Sequence, residues 1–451
     1  MRLESRHTLF ATFAILMHAP AFVAQVAAPL TVTLPDAIAR ARKYGAPVET
    51  ASIAAALAKQ DTAQAKAAAL PSLNALNQFI YTEGNGTPSG VFVANDGVHV
   101  YNEQAVVHQE LLSLVRRGEI RRALAAEATA KAKLDVATRG LNFTVVQNYY
   151  TIISAQRKLA NAQSSLAEAG RFLDITQKQE RGGEVAHADV IKAQIQLQQR
   201  QRDVQDAQLN IDKAKIALAV LIFPSFQQDY AVADDLQEPA VLPQYPEVQT
   251  QATTNSPEVR SARASLVEAG YGVSVARYAY LPSFALDFYY GINANQFAAR
   301  TSSPTLDTGR STLPHFEIPY RQNLGYSAQV TLNIPVWNWG ATKSKIKQAS
   351  LRERQAQSDL TIAQRQLQAN LASYYKEAQT ALSQMDSLRD SSDLAAKSLG
   401  LTILRYQAGE ATALEVVDAQ STLTLARNAF DDGVVRYRVA LADLQTLTGS
   451  F

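Results

Sequence analysis

The sequence predicts a mainly α-helical protein that also contains a small membrane-type β-sheet and is built from two internal repeats. Two observations predict this fold class. A glycine-centred turn between long helical segments occurs twice, and each half also holds a pair of segments in which apolar and polar residues alternate. Long helices joined by a tight turn form an antiparallel hairpin, and alternating strands of roughly 9–11 residues are typical of a membrane β-barrel.

The duplicated turn is centred on Gly183 in the first half and on Gly409 in the second, 226 residues further along the chain. Glycine readily adopts the left-handed conformation that ends a helix and lets the chain reverse. A seven-residue spacing of apolar side chains follows each turn over about five heptads, which predicts coiled-coil packing. In the second half this series is Val416, Leu423, Phe430, Tyr437 and Leu444, and the first half repeats it from Val190 to Leu218.

Composition argues against several classes of function. The chain has 451 residues, a formal net charge of +2 and no cysteine. The small charge gives no electrostatic reason to expect nucleic-acid binding, and the lack of cysteine argues against a thiolate metal site or a lipoprotein anchor. The histidines show no metal-ligand spacing and no glycine-rich phosphate loop occurs, so we expect neither an enzyme nor a bound metal or cofactor.

The N-terminal residues 1–28 resemble a secretory signal peptide. Arg2 and Arg6 precede an apolar, alanine-rich run, which is the usual order of such a signal. A short membrane anchor is the alternative interpretation. No later apolar run is long enough for a membrane-spanning helix.

The repeats are predicted to occupy residues 29–223 and 247–451, and a proline-rich equatorial linker at 224–246 joins them. We expect this linker to form a small belt outside the helical rods. In each repeat, short helices precede two strands, and a long hairpin follows. The strands are predicted at about 72–82, 98–111, 283–293 and 324–336, and the hairpin tips lie near residues 183 and 409.

The helices of each hairpin differ in predicted length. The long helices cover about 118–180 and 340–407, whereas the return helices cover only about 185–222 and 411–447. Helices at about 47–70 and 257–280 nearly supply the missing length. We therefore expect each of these helices to stack end-on with a return helix, which gives four helical columns per chain.

Alternation is clearest in the third strand. Its apolar side chains share one face and its polar or small side chains share the other; the apolar ones are Phe284, Leu286, Phe288, Tyr290 and Ile292. A half-buried sheet of a soluble domain gives the same pattern. If the sheet lies in a membrane, four strands cannot close a barrel and open edges are not tolerated in lipid, so several chains must share one barrel; three would supply twelve strands.

The strand-to-helix junctions carry candidate membrane-interface anchors. Trp337 and Trp339, the only tryptophans, lie at the second junction, and Arg116 and Arg117 lie at the first. Tryptophan and basic residues at a strand end are typical of the membrane–water interface. A buried tryptophan and a solvated basic helix face would give the same sequence pattern.

Taken together, these features resemble the outer membrane efflux protein family of TolC-type channel-tunnels. The resemblance is carried by the two Leu-Pro-Ser junctions, by the two glycine-centred tips, and by Leu34, Ala37, Ile38 and Ala41 near the start. The tip segment Arg405–Gly409, followed by Val417–Gln420, matches the family pattern well, whereas the first tip has Glu180 where an aromatic residue is expected.

The resemblance implies a homotrimer in the outer membrane of a Gram-negative bacterium. Its strands would form one twelve-stranded barrel in the lipid, and its helices would form an α-barrel tunnel in the periplasm. The implied function is a passive exit duct of a tripartite efflux or type I secretion system, docked on a periplasmic adaptor that an inner-membrane pump feeds. The alternative is a secreted periplasmic helical scaffold with no transport role. The sequence leaves the substrate, the adaptor and the pump open.

Two sets of candidate site residues follow. The docking tips comprise exposed polar residues and glycines: Arg181, Gly182, Gly183, Glu184, Arg405, Gly409 and Glu410. The candidate gate is Glu415 with Asp418, which share a helix face and would place six carboxylates around the tunnel mouth of a trimer. The matching Asp189 and Lys192 of the first repeat can offset each other. Thr412 and Glu415 also fit a helix capping box.

Overall fold

A computed structural model describes residues 30–81, 99–225, 229–236, 241–294 and 324–449. The predicted signal peptide and the loops between the paired strands lie outside these described residues. The elements in chain order are β1 Leu30–Val32, α1 Leu34–Tyr44, α2 Ala46–Ala67, β2 Ser72–Tyr81, β3 His99–Leu112, α3 Leu114–Arg181, α4 His187–Ile222, β4 Tyr230–Val232, α5 Tyr245–Asn255, α6 Pro257–Tyr278, β5 Ser283–Ala294, β6 Leu324–Asn333, α7 Ala341–Gln407 and α8 Ala413–Thr448.

The two halves have nearly identical helix lengths. Helices α1 and α5 have 11 residues each, and α2 and α6 have 22 each. The long helices α3 and α7 have 68 and 67 residues, and the return helices α4 and α8 have 36 each. At about 1.5 Å per residue, α3 and α7 each extend about 100 Å from the sheet to the tip. Within the described ranges, every helix is too short or too polar to cross a membrane.

Strands β2, β3, β5 and β6 form one antiparallel sheet in that order. The register places the apolar face of β5 beside apolar side chains of its neighbours. This exposed face includes Leu73, Phe79, Val107, Phe288, Tyr290, Tyr326, Val330 and Leu332. The opposite face is largely polar, and it carries the hydrogen bond between His108 Nδ1 and Asp287 Oδ1 at 2.6 Å.

Strand β6 ends at Asn333, three residues before the predicted end at 336. The reason lies in its partner, because β5 begins at Ser283, which pairs with Asn333. The residues beyond Asn333 therefore have no strand of the same chain beside them in the described sheet.

The helical columns join end-on near the middle of the molecule. The guanidinium of Arg139 donates to the carbonyl of Asn255 at 2.8 Å, and the Asn255 amide donates to the carbonyl of Thr448 at 3.0 Å. These bonds tie the C-terminus of α8 to the junction between α5 and α6. Helix α6 therefore continues the column that α8 begins, as the helix lengths predict.

The linker between the halves forms a belt on the long helix α3. Strand β4 pairs in parallel with β1, and the Tyr149 hydroxyl donates to the carbonyl of Ala233 at 2.7 Å. Arg157 contacts Asp234 at 2.8 Å. The sequence predicts the belt, but it does not predict the two three-residue strands or helix α5.

The predicted coiled-coil seam is present in the second hairpin. Val416, Leu423, Tyr437 and Leu444 are buried. A Cβ atom at Gly433 would lie 2.6 Å from Leu388 Cδ1, the end of a flexible side chain, so a larger residue would require the Leu388 side chain to move. Glycine at this position leaves room for Leu388 between α7 and α8.

A buried carboxylate on α8 makes stability depend on pH. Asp443 is only 7% exposed, its Oδ1 has no hydrogen-bond partner, and burial raises its pKa to about 7. The folded state therefore binds a proton that the unfolded state releases near pH 4, so stability falls as pH rises from about 4 to 7.

We expect Asp443→Asn to remove this pH dependence. A pKa difference of about three units corresponds to on the order of 4 kcal/mol, so the variant should be more stable than the parent at pH 8 and similar to it at pH 4. Thermal unfolding of both proteins at the two pH values measures this. An equal loss of stability with pH in parent and variant would contradict the assignment to Asp443.

Candidate functional site

The two hairpin tips have the same backbone geometry. Gly183 and Gly409 adopt φ angles of 76° and 75°. The amide of Glu184 donates to the carbonyl of Gln179 at 2.9 Å, and the amide of Glu410 donates to the carbonyl of Arg405 at 2.9 Å. Both turns therefore close with the same six-residue hydrogen bond, which ends the long helix at a glycine in the left-handed conformation.

The charged tip residues are exposed, but each arginine also has a local partner. Arg181 donates from Nε to the carbonyl of Gln177 at 3.2 Å. Arg405 donates to the carbonyl of Glu410 at 3.1 Å, and its Nη1 lies 3.6 Å from Glu415 Oε2. The arginines thus support the turns and still present their charge at the tip surface.

Glu415 serves as a helix cap. Thr412 and Glu415 form a capping box, in which the backbone N–H and the hydroxyl of Thr412 each donate to Glu415 Oε1 at 3.1 Å. These hydrogen bonds, with a smaller contribution from Arg405, hold the pKa of Glu415 below its usual range. Its negative charge is therefore partly offset within the chain, whereas the sequence suggested that the second tip carries unopposed charge.

Asp418 is the less engaged member of the pair. Its side chain is exposed and, among the described residues, makes no hydrogen bond or ion pair. The matching acid and base of the first repeat do pair, with Lys192 Nζ 3.4 Å from Asp189 Oδ1. The asymmetry between the tips therefore rests mainly on Asp418.

The two hairpins pack together just above the tips. The rings of Tyr406 on α7 and Phe172 on α3 meet edge-to-face at 5.2 Å. The Gln179 amide donates to the carbonyl of Tyr406 at 3.4 Å. Both tips are therefore held at the same end of the molecule, with Gly183 and Gly409 facing open space.

A polar seam joins the hairpins higher up, between α3 and α8. Arg157 contacts Asp431 at 3.2 Å, and Arg427 contacts Glu168 at 3.1 Å. Asn161 donates to the same Asp431 carboxylate at 2.8 Å. Hydrogen bonds and ion pairs, which can be exchanged for water, therefore hold much of this seam.

The anchors named at the strand-to-helix junctions differ in their surroundings. Arg116 pairs with Glu110 at 3.2 Å and with Glu119 at 3.1 Å, so neighbouring carboxylates occupy its guanidinium. Arg117 has no recorded partner in the described part of the chain. Trp337 and Trp339 are exposed, and their rings pack on each other at 5.8 Å.

Ionisable residues do not gather into a metal centre in the described ranges, where no cluster of three or more histidine, aspartate or glutamate residues could hold an ion. The functional features are instead a sheet with an exposed apolar face at one end and two paired hairpin tips at the other. This combination defines a class of outer-membrane channel proteins with long periplasmic helices.

The comparison with known proteins specifies the family. The family model of outer membrane efflux proteins matches residues 45–222 and 248–450, and the chain belongs to this family. It is an outer membrane protein, and its family consists of efflux channels rather than enzymes.

The named relatives are distant but extensive. The chain is 23% identical to the outer membrane protein TolC of Vibrio cholerae over 69% of its own length and 68% of the relative. It is 23% identical to the outer membrane efflux protein BepC of Brucella suis over 88% of its own length and 80% of the length of BepC. The CmeC outer membrane channel of Campylobacter jejuni shares the fold, with a TM-score of 0.76, 18% identity and coverage of 92% of this chain and 85% of that one.

Proposed function

We propose that three copies of this chain form the outer-membrane exit duct of a tripartite efflux or type I secretion system. The β-sheet is the observation that supports this proposal most strongly. In the described strands, β2 and β6 each have a partner on one side only, while one face of the sheet is apolar and exposed. Unpaired edges are costly in lipid, and edge-to-edge joining of three sheets into twelve strands would satisfy them.

The helical layer offers matching edges for the same assembly. Helices α3 and α8 pack on each other, with α4 on the outer side of α3 and α7 on the outer side of α8. Both outer helices carry exposed apolar side chains, namely Ile191, Ile195, Leu209 and Ile216 on α4 and Ile362, Leu394, Leu401 and Leu404 on α7. Packing α7 of one copy on α4 of the next is a head-to-tail contact that closes a ring.

The tips are the docking surface for a periplasmic adaptor in this proposal. They lie about 100 Å from the sheet, which is far enough to reach into the periplasm. They present the exposed charges of Arg181, Glu184, Arg405 and Glu410 at the turns. The adaptor connects the duct to an inner-membrane pump, which supplies the energy, while the duct conducts passively.

Asp418 is the leading gate residue, and Glu415 contributes with part of its charge. In a trimer, three Asp418 carboxylates surround the tunnel mouth and attract cations. Two substitutions separate the roles of the pair. Asp418→Ala removes the free charge, whereas Glu415→Gln removes the other charge but retains a side chain that can complete the capping box.

Planar bilayers test the channel and the gate together. Purified protein should conduct ions and prefer cations, and divalent cations should block it. Asp418→Ala should weaken both the preference and the block, while Glu415→Gln should have the smaller effect because Arg405 already offsets its charge. Absence of conductance in the parent protein would contradict its role as a duct. Unchanged ion selectivity in the variant that combines Asp418→Ala with Glu415→Gln would place the constriction elsewhere.

A further inference from the structure

The segment Ile334–Trp339, here called the tryptophan hook, differs from the matching junction of the first repeat. Leu112 and Leu332 both pair with Phe284, so they lie at the same level of the sheet. Below that level, Ser113 alone separates β3 from α3, whereas residues 333–340 separate Leu332 from α7. The second junction is therefore longer than the connection itself requires.

The extra residues of the hook include four exposed apolar side chains. Ile334, Val336, Trp337 and Trp339 are 57%, 87%, 75% and 89% exposed. Water disfavours such a cluster, and contiguous apolar surface of this kind marks an interaction site. The hook therefore lacks a covering partner within the described chain.

The position of the hook favours lipid as its partner. It directly continues β6, whose exposed apolar side chains Tyr326, Val330 and Leu332 belong to the face of the sheet. Another copy that joins edge-to-edge would cover a sheet edge and leave this face open. Lipid covers the face, so the hook begins where the apolar surface meets the periplasmic side.

The charge next to the hook fits a phospholipid headgroup. Lys343 and Lys347 are exposed and share one face of α7, since they are four residues apart. Lys345 points elsewhere and lines a groove with residues of α2, α3 and α6. Tryptophan and lysine side by side are the typical residues of the membrane–water interface.

We propose that the tryptophan hook, with Lys343 and Lys347, binds the headgroup region of the periplasmic leaflet and prefers anionic phospholipid. The hook fixes the level at which the barrel ends and the tunnel begins. The first repeat has no equivalent, because Ser113 alone joins β3 to α3 and the chain's two tryptophans both lie in the second repeat. This placement requires that the sheet lies in the outer membrane, and it does not require the export role.

Intrinsic fluorescence tests the proposal directly, because Trp337 and Trp339 are the only tryptophans. The full-length protein is reconstituted in vesicles of phosphatidylethanolamine and phosphatidylglycerol that contain phospholipid brominated at a shallow or a deep acyl position. We expect strong quenching by shallow bromines, weaker quenching by deep ones, and limited quenching by aqueous iodide.

Charge variants test the lipid preference. Brominated phosphatidylglycerol should quench more than brominated phosphatidylcholine, and neutralising Lys343 or Lys347 to glutamine should reduce this preference by on the order of fivefold per lysine. Lys345→Gln is the matched control and should leave the preference unchanged, since it lies on another face of the same helix.

Two outcomes would overturn the proposal. Tryptophans that iodide quenches but brominated lipid does not would lie free in the periplasm. Tryptophans protected from both quenchers would be buried against another copy of the chain. Flotation of the vesicles with the protein verifies insertion independently, so either result would refute the hook while leaving the outer-membrane placement intact.

Discussion

Gly409→Val should reduce export roughly tenfold while the protein still assembles in the membrane. The φ angle of Gly409 is 75°, a conformation in which a β-branched residue is strained by about 1–3 kcal/mol. We expect the free variant tip to relax out of this turn, so that binding of the adaptor must restore it. A cost of about 1.4 kcal/mol for that step lowers the adaptor affinity tenfold. Export from cells and adaptor binding to the purified protein measure the loss.

Gly409→Asn is the matched control, because asparagine tolerates the left-handed conformation far better than valine. A Cβ atom at this position meets nothing within 4 Å in the chain, so the two variants differ mainly in backbone strain. We expect Asn to retain most of the export. If both variants lost export equally, contact with the adaptor rather than turn geometry would be responsible, and full export by Gly409→Val would refute a role for this tip.

Ala328→Arg should prevent insertion of the protein into the outer membrane. Ala328 lies near the middle of β6, on the apolar face, and pairs with Phe288. A charged residue facing lipid near the bilayer midplane costs about 2–4 kcal/mol, and a trimer bears this cost three times. The amount of protein recovered from the outer membrane fraction measures the effect.

Ser327→Arg provides the control at nearly the same depth on the opposite face. Ser327 pairs with Tyr289, and both residues belong to the largely polar face that would line the lumen. This variant should insert normally and alter only the ion selectivity of the channel. Equal recovery of the two variants would show that neither face contacts lipid and would favour a periplasmic scaffold.

Most of the fold could be predicted because each long-range feature has a local signature. The alternation of Phe284, Leu286 and Phe288 predicts the strand, and the glycine at each tip predicts the reversal. The repeat strengthened both predictions, since two independent occurrences of one pattern are hard to explain by chance. The third and fourth strands were clear for this reason, although the end of β6 depends on where its partner β5 begins.

The short strands of the belt and helix α5 were missed for physical reasons. Strands β1 and β4 have three residues each, which is too short for any alternation to be recognised. Helix α5 begins at Tyr245, within a stretch whose prolines indicated a linker, although proline is well tolerated in a first helical turn. The correspondence between α5 and α1 was not recognised because α5 begins 211 residues after α1, whereas the two tips lie 226 residues apart.

The site could be predicted only in part because its charges depend on partners distant in sequence. Asp418 was the better gate candidate from sequence alone, and its free side chain supports that choice. The proximity of Arg405 to Glu415 arises from the turn between α7 and α8, which no spacing rule predicts. The pairing of Arg116 with Glu110 likewise joins the end of β3 to the first turn of α3, which no spacing rule predicts.

The mass of the detergent-solubilised protein tests the central proposal most directly. A four-stranded sheet with two open edges needs strands of other copies to pair with. The exposed apolar surfaces of α4 and α7 likewise need helices of other copies to pack against. Light scattering or native mass spectrometry should therefore find three chains in the protein–detergent complex, and removal of detergent should cause aggregation. A monodisperse monomer that remains in solution without detergent would contradict the shared barrel and the exit duct built on it.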